Sequence, residues 1–124
     1  MDFRFHDQIR SFLECEGLLD DGVDIVRVAG VAKNLARSAS PGARNFVLEQ
    51  LHISQTLHGI RQIYLINHED CGAYGAELVP DDKEEFDLHE RDLRQARQLL
   101  EGEFPNTEIL TYIVYINGST RQVF

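Results

Sequence analysis

The stretch Gln62-Ile-Tyr-Leu-Ile-Asn-His68-Glu-Asp-Cys71-Gly-Ala-Tyr-Gly75 decides how the chain is read. Ile63 to Ile66 is an apolar run bounded by turn signals, the pattern of a buried strand. A histidine and a cysteine three residues apart follow, where that strand opens into a loop. Open α/β sheets keep their sites at this carboxyl edge. An imidazole beside a thiolate suits zinc, which takes nitrogen and sulfur ligands tetrahedrally. His68 and Cys71 are therefore candidate metal ligands, and two ligands leave such a site incomplete.

Toward the C-terminus, Cys71 to Lys83 is punctuated by Gly and Pro and reads as a loop. The acidic run Asp81-Asp-Lys-Glu-Glu85 suits the first turn of a helix, where carboxylates complement the dipole. That helix is expected to reach about Glu103, with Phe86, His89, Leu93, Ala96 and Leu100 on one stripe. Pro105-Asn106 ends it, Ile109–Ile116 is a strong strand, and Asn117-Gly118 turns the chain toward a short hairpin partner at Thr120–Phe124.

Toward the N-terminus, a helix from about Ala43 to His58 stops at Gly59, and Ala29 to Gly42 reads as a loop of small residues. Val23 to Val28 is β-branched and predicts a strand. Phe5, Ile9, Phe12 and Leu13 recur at helical spacing, with Gly17 as a stop. The order αβαβαβ predicts an α/β fold, a mostly parallel sheet flanked by helices. A domain of this kind normally opens with a strand, whereas this chain opens almost directly on a helix.

At 124 residues and 43% hydrophobic, the chain is expected to form a single domain over 1–124. Such a domain buries roughly two-thirds of its unfolded surface and needs no disulfide staples. Cys15 and Cys71 are the only cysteines, so nothing marks a secreted disulfide framework. Lys and Arg number 12 against 21 Asp and Glu, a formal charge of −9, which argues against a nucleic-acid surface. No apolar run approaches the roughly 18 residues of a membrane span, and no signal core follows a basic start. The expectation is a cytoplasmic protein without a membrane or nucleic-acid partner.

His68-x-x-Cys71-Gly72-Ala73 after an apolar strand resembles the second zinc motif of the β-class carbonic anhydrases. Asp24-Ile-Val-Arg27-Val-Ala-Gly30 is similar to the strand and loop that carry an Arg-Asn-Ala-Gly-like sequence in that family, with Val28 in place of the Asn. The helix leading through Gly59 to His68, and the terminal Tyr115-Ile-Asn-Gly118, are similar to its later elements. The family's first motif is Cys-x-Asp-x-Arg at the end of the first strand. Met1-Asp2-Phe3-Arg4 fits its last four positions, so the cysteine would fall immediately before Met1. The resemblance therefore implies a minimal, Rossmann-like three-layer domain whose first strand is missing, through a start placed at an internal Met or a fragment.

The resemblance implies Zn2+ held by His68 and Cys71, and reversible hydration of CO2 to bicarbonate by a zinc-bound hydroxide. Asp2 would orient that hydroxide, and Arg4 would pair with Asp2 and keep it ionised. It also implies a homodimer or higher oligomer. With one cysteine absent, zinc would keep His68 and Cys71 and recruit Asp2 at best, giving weak binding and poor turnover. Cys15, on the flank of a helix, is a weak substitute. A related COS or CS2 hydrolase and a non-catalytic metal-binding or interaction protein of the same fold stay open, as does a thiol catalyst using Cys71.

Plainer readings stand beside these. His68 and Cys71 could be a turn histidine and a small buried thiol, and Asp2 and Arg4 a frayed terminal charge pair. His89 reads as a satisfied core histidine, His52 as a residue on the polar side of its helix, and His58 as a dipole complement in a last turn. Glu69 and Asp70 read as loop carboxylates, with a supporting role at the metal as the alternative. The loop Ala29-Gly30-Val-Ala-Lys33-Asn34 lacks a dinucleotide or P-loop signature, and the resemblance implies that it forms one wall of the metal pocket.

Overall fold

A computed structural model of the chain describes residues 1–78 and 80–124. Strand β1 (Gln62–His68) alternates its side chains between two apolar environments, as a strand with a period of two must. Ile63 and Leu65 join a core with Leu35, Val47, Leu93, Leu100 and Phe104. On the other face, Tyr64 and Ile66 pack with Phe12 and Leu13. Strand β2 (Glu108–Val114) runs parallel to β1, in register from Gln62 opposite Glu108 to His68 opposite Val114. Strand β3 (Thr120–Gln122) pairs with β2 in the antiparallel sense, Tyr112 opposite Gln122.

The helices form where capping and periodicity favour them. Helix α1 (His6–Cys15) follows a 3₁₀ turn at Phe3–Phe5, and α2 (Leu18–Asp21) follows Gly17. Helix α3 spans Val31–Arg37, α4 spans Pro41–His58 with Pro at its start, and Gly59 closes α4 in the left-handed conformation (φ 62°). Helix α5 (Asp82–Glu103) is capped by Asp81, whose carboxylate accepts the N–H groups of Lys83 and Glu84 at 3.0 and 2.9 Å. His89, Leu93, Ala96 and Leu100 form its buried stripe.

The fold is α/β, but three expectations need correction. Among the described residues the sheet has three strands in the order β1-β2-β3, one pair parallel and one antiparallel, and is not clearly a mostly parallel, Rossmann-like layer. Val23 to Val28 is not a strand. Its backbone forms no ladder because a groove separates it from the free edge of β1, and β propensity is expressed only where strands actually pair. Val23, Ile25 and Val26 stay exposed there. The segment 29–42 is not all loop, since it contains α3.

Gly30 starts α3 from a left-handed conformation (φ 60°, ψ 45°), and Ala32 and Leu35 bury one side of it. Seven residues are too few to leave a clear helical period. The last parallel strand ends at Val114 rather than Ile116, because Tyr115 already donates its N–H to the Ser119 carbonyl in the turn to β3. Within the expected loop from Cys71 to Lys83, Gly72–Glu77 form two short 3₁₀ turns broken at Gly75 (φ 56°), and Val79 lies outside the described residues. A groove of about 690 Å³ is lined by both the Val23–Val28 segment and the free edge of β1. Among the described residues, no helix is long and apolar enough to cross a membrane.

Candidate functional site

His68 is the last residue of β1, delivered to the loop by the parallel register with β2. Its Nδ1 donates to the Glu69 carbonyl at 2.8 Å, which leaves Nε2 as the ring nitrogen that a metal could take. The Phe5 ring packs against the imidazole with centroids 4.5 Å apart. Cys71 is buried below it. Burial pushes the Cys71 thiol up, but hydrogen bonds from His68 and from the backbone N–H groups of Ala73 and Gly30 outweigh it and hold the pKa below the usual thiol value. Burial likewise pulls His68 down. Its bonds to Cys71 and the Glu69 carbonyl, with the charges of Cys71 and Asp2, more than offset this and raise it. Each group thus favours the charged form of the other.

Asp2 and Arg4 meet the same site from the N-terminus. Asp2 Oδ1 accepts the Arg4 backbone N–H at 2.9 Å and Nε at 3.0 Å, while Oδ2 accepts Nη2 at 2.8 Å. This fork geometry is the strong form of an Arg–carboxylate pair. The hydrogen bonds from Arg4 hold the Asp2 carboxyl well below the ordinary range, and the Asp2 carboxylate in turn raises the guanidinium. Arg4 also reaches across to the loop, Nη1 to Asp70 Oδ2 at 2.6 Å and Nη2 to the Asp70 carbonyl at 3.0 Å. Asp2 and Arg4 are thus tied into the loop rather than frayed.

The loop is supported from behind. Lys33 Nζ on α3 donates to the Ala73 carbonyl at 3.0 Å and pairs with Glu77 at 2.7 Å. Arg37 pairs with Glu77 at 2.8 Å and with the fully buried Asp92 at 2.9 Å. At Gly30 a Cβ would lie 2.7 Å from the Ala73 Cβ, so only glycine lets this loop approach Cys71 so closely. The 29–34 segment does form a wall of the site.

The donors fit zinc in kind, one imidazole nitrogen and one thiol whose pKa is held below the usual value. They fall short in number: among the described residues no three His, Cys, Asp or Glu side chains are placed to hold a metal together. Asp2 is committed to Arg4, and Cys15 sits exposed at the end of α1. His52 is surface-exposed near Glu103, and His58 pairs with Asp24 at 2.6 Å on the rim of the groove.

Some of what surrounds the site was not read from the sequence. Asp70 reads as a loop carboxylate but grips Arg4, and Glu69 accepts the Ile116 N–H. Lys33, Asn67, Tyr74 and Glu85 carry no motif. The only local signal for Glu85 is its helical spacing to His89, where an i, i+4 pair can form.

Residues 1–124, the whole chain, match the family described as "Putative carbonic anhydrase", and the chain belongs to that family. It is 27% identical over its full length to an uncharacterized protein of Rickettsia bellii, covering 77% of that protein. It is also 27% identical to an uncharacterized protein of Rickettsia conorii, covering 68% of it. No solved structure matches the chain.

Proposed function

We propose that this chain is a single-domain, cytoplasmic, zinc-dependent carbonic anhydrase of the β class, reversibly converting CO2 and water to bicarbonate and a proton. The observation that carries the reading is the convergence of two sequence-distant pairs, Asp2–Arg4 and His68–Cys71, on one loop. His68 Nε2 and the Cys71 thiolate would hold the metal. Zinc, when bound, supplies a Lewis acid that lowers the pKa of water to about 7.

The chain's own residues do the rest. Arg4 keeps Asp2 ionised at neutral pH and holds its plane, so a free lone pair on the carboxylate can accept a proton-bearing oxygen in a fixed direction. Phe5 packs on the imidazole and limits its rotation. The Glu69 carbonyl sets its tautomer. The family's assembly as dimers or higher oligomers is part of the same proposal.

The ligand count favours a second reading, a non-catalytic protein of the same fold. Metal analysis with a CO2-hydration assay separates the two. Stoichiometric zinc, lost in Cys71→Ser, together with hydration above the uncatalysed rate supports the enzyme. A folded, metal-free and inactive protein supports the alternative.

A further inference from the structure

The geometry points to Glu85 as a positioning residue that, through Asp70 and His89, sets the turn between His68 and Cys71. The inference rests on the reading of those two as metal ligands. Glu85 lies in the first turn of α5 with a side chain only 19% exposed. Its Oε1 accepts the backbone N–H of Asp70 and faces His89 Nε2 at 3.3 Å. Asp70 is the one non-glycine residue, among those described, with a positive φ (49°). Side-chain-bearing residues hold that conformation only where their surroundings over-determine it.

Here the peptide is held from both sides. Arg4 takes the Asp70 carbonyl and carboxylate, and Glu85 takes its N–H. Only Glu69 and Asp70 separate the two ligands, so the φ of Asp70 sets how His68 and Cys71 face each other.

The proton inventory extends the clamp into the core. Asn67 Nδ2 donates one hydrogen to His89 Nδ1 at 3.0 Å and the other to Tyr74 Oη at 3.1 Å. His89, 1% exposed, then carries its proton on Nε2 and donates it toward Glu85, which is acceptor-only when ionised. Asn67 directly precedes His68, and Tyr74 follows Cys71 by three residues. Both flanks of the ligand loop therefore end on the group that Glu85 anchors. A carboxylate in a first turn also complements the helix dipole, so the test must separate the acceptor oxygen from the charge.

Glu85→Ala removes both, and Glu85→Gln keeps an acceptor oxygen without the charge. Zinc affinity is measured by chelator competition, with the ligand-field spectrum of the cobalt-substituted protein. Exchange of the Asp70 amide is followed by NMR in the metal-free protein. Glu85→Ala is expected to weaken zinc binding by about 10- to 100-fold, alter the cobalt spectrum and unprotect the Asp70 amide. Glu85→Gln and the control Glu90→Ala, a half-exposed α5 carboxylate paired with Arg94 rather than with the loop, should stay close to the parent. Wild-type affinity and Asp70 protection in Glu85→Ala would overturn the proposal, as would a Glu85→Gln variant as impaired as Glu85→Ala. If the parent takes up no zinc, the metal reading fails and the amide alone decides: protection kept in Glu85→Ala sinks the role of Glu85, protection lost supports it. Should Glu85→Ala not fold, Glu85→Asp, whose carboxylate stops one methylene short, takes its place.

Discussion

Arg4 and Asp70, 66 residues apart in the chain, are joined by two hydrogen bonds, Nη1 to Oδ2 at 2.6 Å and Nη2 to the main-chain carbonyl at 3.0 Å. The same guanidinium grips Asp2 through Nε and Nη2. One side chain thus fixes the N-terminal turn against the loop that carries His68 and Cys71. Lysine, a point charge without the planar fork, cannot serve both carboxylates.

Replacing Arg4 should therefore impair catalysis through Asp2 without removing the proposed metal ligands. In Arg4→Ala, kcat/KM for CO2 hydration should fall by about 10²-fold, the lower end of what a positioned proton-transfer group supplies. Arg4→Lys should recover little of it, and the loss should persist when the assay is run with zinc saturating, which separates it from any weakening of metal affinity through Asp70. Stopped-flow hydration with metal analysis checks this, and full activity in Arg4→Ala would dismiss the dyad.

Gly30→Ala should destabilise the fold by about 1–3 kcal/mol, the usual cost of overpacking. The added methyl would meet the Ala73 Cβ at 2.7 Å, and the backbone there has φ 60°. The double variant Gly30→Ala/Ala73→Gly should regain the part due to contact and leave the part due to φ. Urea unfolding midpoints of the three proteins give the partition.

Burial holds the pKa of His89 below the ordinary histidine value, against the pull of Glu85 and Asp92 on its own helix and with His68 repelling from the end of β1. Tyr74, packed edge-on at 4.7 Å, stays neutral because burial raises it. The folded state thus binds its His89 proton at lower pH than the unfolded state does. The contribution is complete above about pH 6.5, the unfolded value, and is lost as pH falls from there toward the depressed folded value. Unfolding free energies between pH 7.5 and 5 should fall more steeply for the parent than for His89→Gln. Equal slopes would contradict the assignment.

The free edge of β1 and the exposed Val23, Ile25 and Val26 make the groove a place for unwanted strand pairing. Ile25→Lys should reduce self-association in sedimentation velocity at high protein concentration, with the far-ultraviolet circular dichroism unchanged. Undiminished association would place the contact elsewhere on the molecule.

The parts of the fold legible in the residues were those whose pattern records their own burial. The apolar run at Ile63–Ile66 marked β1, and the Phe86–Leu100 stripe behind an acidic first turn marked α5. Val23–Val28 has a similar β-branched composition, but a groove keeps it apart from the free edge of β1, so it pairs with no strand. Helix α3 was hidden because seven residues starting from a left-handed Gly30 carry too little period.

The sequence by itself determined the strand–loop that carries His68 and Cys71, the long helix behind it, the acidic charge and, through His68-x-x-Cys71 and Asp2-Phe3-Arg4, a carbonic anhydrase likeness, which the full-length match supports at the level of the family. Spacing and periodicity are local, so they survive in one dimension. Only the tertiary structure decided that the sheet is mixed, that Arg4 reaches Asp70, and that Glu85, His89 and Asn67 close a buried network under the loop. Those contacts join residues far apart in the chain or on different elements. A hydrogen bond between them depends on where the packed elements bring the donor and acceptor, which no local pattern encodes.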